Sequence, residues 1–73
     1  MTERVFRKDE YAQVVYTDDQ PGALLYFFHI DPDSQEVVQL GAMSTSEDGY
    51  FDRLLEEGFE EVDLNAFRDM IGS

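Results

Sequence analysis

The chain has 73 residues, no cysteine, and a formal net charge of −12 from 17 acidic and 5 basic side chains. That length holds one hydrophobic core, so a single domain over residues 1–73 is expected. Without cysteine there are no disulfides and no thiolate zinc site. The charge disfavours nucleic acid and anionic membrane as direct partners, since both carry the same sign. Hydrophobic residues make up 42% of the chain and aromatic ones 14%, enough to build a core and to argue against disorder. The first residues have no signal-like apolar stretch, and the longest apolar run, residues 23–28, falls far short of the roughly 20 residues that span a bilayer. The expected location is the cytoplasm of a bacterium, an archaeon or an infected host cell.

Residues 5–16 read as extended, with Val14, Val15 and Tyr16 as strong β-formers. Pro21-Gly22 then suits the two central positions of a type II turn. Residues 23–30 form the clearest strand pattern, with Leu24, Tyr26, Phe28 and Ile30 on one face and Ala23, Leu25, Phe27 and His29 on the other. Apolar residues on both faces mark a central strand. Asp31-Pro32-Asp33-Ser34 is a turn. Residues 36–43 follow as a third strand, with Val38, Leu40 and Ala42 on one face. The period then lengthens. Ser44 and Glu47 have capping-box spacing ahead of a helix bearing Tyr50, Phe51, Leu54 and Leu55. Gly58 ends that helix. Residues 59–62 fit either a fourth strand or a bend. Asp63 caps a last helix with Leu64, Phe67, Met70 and Ile71 on one face, and Gly72 closes it. The expected fold is α+β: a three- or four-stranded antiparallel meander with two short C-terminal helices packed on one face. On that plan the other face exposes an apolar patch, either Leu25 and Phe27 or Leu24, Tyr26 and Phe28. Residues 1–12, a second copy or a target must cover it.

No enzyme signature emerges. His29 is the only histidine and sits in an apolar strand, with no cysteine and no serine in a nucleophile-elbow pattern. Asp31, Asp33 and Glu36 begin like a calcium loop, but Gln35 and Glu36 stand where an EF-hand needs a third ligand and a glycine. Ser44, Thr45 and Ser46 serve as caps. No catalytic residue, metal ligand or cofactor site is expected.

Charge is distributed unevenly. Residues 1–16 are neutral, with three acids and three bases. Residues 17–73 hold 14 acids against Arg53 and Arg68 alone. Asp48, Asp52 and Glu56, spaced by four, would line one helical stripe, where like charges cost a few tenths of a kcal/mol per pair. An ordinary solvated helix interleaves lysine with glutamate and avoids that cost. Carboxylates about 6 Å apart resemble the regular charge of a nucleic-acid backbone. The chain therefore reads as a small acidic module that binds a protein with a basic surface, nucleic-acid mimicry being the sharpest form of that reading. By analogy of size and charge this is an inhibitor of the phage or mobile-element type. The contact residues are Glu47, Asp48, Asp52, Glu56, Glu57, Glu60, Glu61 and Asp63, with Tyr50 as an anchor if it faces outward. The alternatives are a structural or regulatory subunit that homodimerises through the sheet face or a free strand edge, and a domain adapted to high salt.

Overall fold

The structure is a computed structural model and describes residues 2–17, 22–46 and 49–72. Residues 5–16 fold back on themselves. β1 (Thr2–Lys8) and β2 (Tyr11–Thr17) pair antiparallel with Lys8 opposite Tyr11, leaving Asp9 and Glu10 as a two-residue loop. Asp9 adopts φ 54°, a left-handed conformation that aspartate tolerates better than most residues. β3 (Ala23–Ile30) and β4 (Val37–Thr45) continue the meander. Gly22, at φ 101°, leads into β3, and a Cβ there would lie 2.5 Å from the Thr45 carbonyl oxygen, so only glycine fits. Pro21, its expected turn partner, lies outside the described residues.

The β3–β4 connection is the expected turn. The Asp31 carboxylate accepts hydrogen bonds from the backbone N–H groups of Asp33 (2.8 Å) and Ser34 (3.1 Å). Those bonds hold its pKa below the ordinary aspartate value, that of Ser34 first. In β4 the pairing skips Leu40: Phe27 lies opposite Gly41 and Phe28 opposite Gln39. This bulge breaks the expected common face of Val38, Leu40 and Ala42.

After β4 comes α1 (Tyr50–Glu56), then β5 (Glu60–Val62), then α2 (Leu64–Gly72). Ser44 belongs to β4 and does not cap α1, whose N-cap is Gly49 with no side-chain hydrogen bond. Glu47 and Asp48 lie outside the described residues. The C-terminal end of α1 follows the expectation. Gly58 takes φ 98°, its N–H bonds the Leu55 carbonyl, and the Phe59 N–H bonds the Leu54 carbonyl, the Schellman pair. Asp63 caps α2: its carboxylate accepts from the Asn65 N–H at 3.0 Å and its carbonyl from the Phe67 N–H.

The sheet has five strands in the order β4-β3-β2-β1-β5, rather than three or four. The unforeseen hairpin supplies one of the extra strands. The ambiguous segment after Gly58 supplies the other, along the outer side of β1. The helices also occupy opposite faces, not one. Leu54, with Tyr50 and Phe51, packs on Phe6, Val15 and Leu25. Phe67, with Leu64 and Met70, packs on Val5, Ala12, Val14 and Ile30. Successive side chains of a strand point to opposite faces, so the neighbours Val5 and Phe6 each need their own cover. β5 lies in the plane of the sheet at its edge, so the chain passes around that edge from one face to the other. The expected bare aromatic face is therefore closed: Leu25 and Phe27 belong to the α1 cluster, Tyr26 and Phe28 to the α2 cluster. Of those residues, only Leu24 stays half exposed.

Candidate functional site

All five basic side chains donate to groups within the chain. Arg4 meets Glu61 through two bonds, Nε to Oε2 at 2.9 Å and Nη2 to Oε1 at 2.7 Å, and its guanidinium lies 4.2 Å from the centre of the Phe51 ring. The forked pairing holds the Glu61 carboxyl below the usual range and pushes the Arg4 guanidinium up. Arg53 Nε reaches Glu57 Oε1 at 3.2 Å, one helical turn away. Arg68 pairs with Glu3 across the other face. Lys8 Nζ donates to the Glu57 carbonyl (2.7 Å) at the C-cap of α1, where a cation is favoured. Arg7 Nε donates to the Asp9 carbonyl (3.1 Å).

That pairing divides the acidic residues singled out in the sequence. Glu57 and Glu61 are opposed by arginine, and Asp63 is turned to its helix cap. Asp52 and Glu56, one turn apart on α1, and Glu60 on β5 are exposed and form no ion pair among the described residues. Asp69 stands on α2, over the opposite face from Asp52 and Glu56. Tyr50 does not face outward as an anchor. It is half-buried, and its hydroxyl donates to Gln13 Oε1 at 2.6 Å, which satisfies a buried amide beneath α1. Two features escaped the sequence reading: Arg4 as the clamp between β1, β5 and α1, and the place of β4 as the long edge strand of the sheet. The first joins residues 57 apart in sequence, which no local pattern signals. The second could be read from β4 itself, nine residues without a charge.

His29 Nε2 lies 3.1 Å from Glu10 Oε2, and its ring meets Tyr11 edge-on at 5.4 Å. Nearby, Lys8, Asp9, Glu10, Tyr11 and Phe59 line an open depression of about 720 Å³. A histidine–carboxylate pair can orient a proton, but neither a serine hydroxyl nor a thiol lines this depression. Among the described residues no group of three or more His, Asp or Glu side chains could hold a metal ion, and no helix is long and apolar enough to cross a membrane. No protein-family model matches the chain, and no curated protein or solved structure is detectably similar to it.

Proposed function

We propose that this chain is a protein-binding module without catalytic chemistry, and that its partner presents a basic surface. The observation behind the reading is the internal use of every lysine and arginine, which leaves Asp52 and Glu56 on α1, and Glu60 across from Arg7 on the other face of the sheet, without an ion pair among the described residues of a molecule of net charge −12. Exposed carboxylates on a molecule of high negative charge attract a basic groove over long range and speed encounter. In the sharpest form of the reading, the target is a nucleic-acid-binding protein whose groove the acidic surface occupies, as an inhibitor of the phage or mobile-element type would.

The test uses the immobilised chain, a nuclease-treated cell lysate and a salt gradient. Proteins that themselves bind DNA or RNA should be retained at low ionic strength, elute as salt rises, and be displaced by excess nucleic acid. The triple variant Asp52→Lys, Glu56→Lys, Glu60→Lys should lose them while keeping the circular dichroism of the parent, because all three side chains are exposed. Equal retention by the triple variant, or retention indifferent to salt, would overturn the reading.

A further inference from the structure

The two edges of the sheet are unlike. β5 has three residues, two of them glutamates, and one of those is held by Arg4. Short length and charge are the usual protections of an exposed edge. β4 has nine residues, Val-Val-Gln-Leu-Gly-Ala-Met-Ser-Thr, with neither charge nor proline. Val38, Leu40 and Met43 on it are 56%, 59% and 54% exposed. In a chain of 17 acids this is a long, neutral, apolar strand, and from Val37 to Ser44 no strand among the described residues pairs with its outer side.

We infer that the β4 edge is a self-association surface: a second copy of this chain docks its own β4 antiparallel against it, joining two five-stranded sheets about a two-fold axis. Charge selects the occupant. Neither a basic nor an acidic strand would find an opposite charge along β4. A neutral apolar strand suits the site, and β4 itself is one. Antiparallel self-pairing also closes after two copies and leaves no open-ended stack at this edge.

The bulge fixes the register. Val38 lies opposite His29 and Met43 opposite Leu25. His29 and Leu25 are four apart in β3, so they share a face, and Val38 and Met43 therefore share it too. Five residues apart, they would point oppositely in a regular strand; the extra residue at Leu40 restores them to one side. Two β4 strands can then pair with Val38 opposite Met43 of the second copy, Gln39 opposite its Ala42, and Val37 opposite its Ser44, every pair on a common face. Both exposed Val38–Met43 sets are covered at once.

The acidic edge lies four strand spacings from β4, roughly 19 Å. In the dimer the two β5 strands stand nine spacings apart, roughly 43 Å, far beyond the ~8 Å screening length at physiological salt. Repulsion between two charges of −12 nevertheless remains at closer points. Self-association should therefore tighten as salt rises, the opposite of the dependence expected for a basic partner, so the two proposals can fail independently.

Sedimentation equilibrium tests this. The expected result is a species of twice the 8.4 kDa chain mass whose dissociation constant falls as salt is added. Val38→Glu and Met43→Lys should each weaken the dimer at least about tenfold, a loss of roughly 1.4 kcal/mol. Mixing the two variants should restore a heterodimer, because one of its two contacts becomes a glutamate–lysine pair. Both positions are more than half exposed, so each variant should keep the circular dichroism of the parent. A single 8.4 kDa species at millimolar concentration and molar salt would sink the inference. So would a dimer indifferent to both substitutions, and a mixture no tighter than its components would overturn the register.

Discussion

β1 divides its side chains between two faces that are held together differently. Val5 and Glu3 serve the α2 face, where Val5 lies under Phe67 and Glu3 pairs with Arg68 of α2. Phe6 and Arg4 serve the α1 face, where Phe6 stacks on Phe51 at 5.5 Å and Arg4 covers the same ring while gripping Glu61. The α2 face rests mainly on apolar packing under a helix with a side-chain cap. The α1 face holds a shorter, side-chain-uncapped helix with polar ties, Tyr50 to Gln13 and Lys8 to the Glu57 carbonyl. Neither helix is long enough to persist in isolation. Each exists because one buried residue, Leu54 or Phe67, is inserted into the sheet. A strand buried on both sides thus recruits two weak helices where a one-faced sheet would need one layer.

The largest effects should come from removing those two residues. Phe67→Ala should cost about 3–5 kcal/mol and Leu54→Ala about 2–5 kcal/mol, read as shifts of the denaturant midpoint at constant slope. The Phe67 variant should be the worse of the two. Its ring also meets Phe28 edge-on at 5.4 Å, and α2 has few polar ties to hold it once the ring is gone. A Leu54 variant as damaged as the Phe67 variant would show that the polar ties do not retain α1.

A smaller loss should isolate those ties. Tyr50→Phe keeps the ring but removes the hydroxyl that donates to Gln13, leaving a buried acceptor without it, at a cost of about 1–3 kcal/mol. Amide exchange should quicken in α1 first, with α2 little changed. Uniform acceleration across both helices would mean that the two faces open as one unit.

The sequence carried the signal for two covered faces more fully than the expected architecture used it. Apolar pairs such as Val5-Phe6, Val14-Val15 and Phe27-Phe28 put bulk on both sides of three strands, yet the helices were expected together on one side. The local punctuation was legible: Gly58 and Asp63 bound their helices as expected, and Asp31 closes its turn. The hairpin at Asp9-Glu10 was not, because it lacks the glycine that usually supplies positive φ, and the charged run Arg7-Lys8-Asp9-Glu10 carries no other turn signal. The candidate contact residues were only partly legible. Composition exposes an excess of acid, but which carboxylates remain unopposed depends on Arg4 reaching Glu61 and Arg53 reaching Glu57, and the first of these is a tertiary contact.

The finest distinction between the faces should appear in base. Tyr16 lies opposite Glu3 in the sheet, and the hydrogen bond to that carboxylate, with burial adding to it, pushes its phenol up to about 12. An unfolded tyrosine titrates at about 10. Between those values the unfolded chain has released the proton while the native one still holds it. The native state then binds more protons, and stability falls as pH rises. This contribution is complete below pH ~10 and gone above about 12. The corresponding tie of the α1 face does not titrate in that window, because Arg4 stays protonated and Glu61 ionised. Raising the pH should therefore break the Tyr16–Glu3 tie of the α2 face while the Arg4–Glu61 pair of the α1 face persists. Glu3→Gln removes the charge that holds the phenolic proton, so tyrosinate absorbance should appear at lower pH and the decline of stability in base should flatten. If the parent and the variant lose stability in parallel above pH ~10, the phenol and Glu3 do not set the alkaline limit of the α2 face.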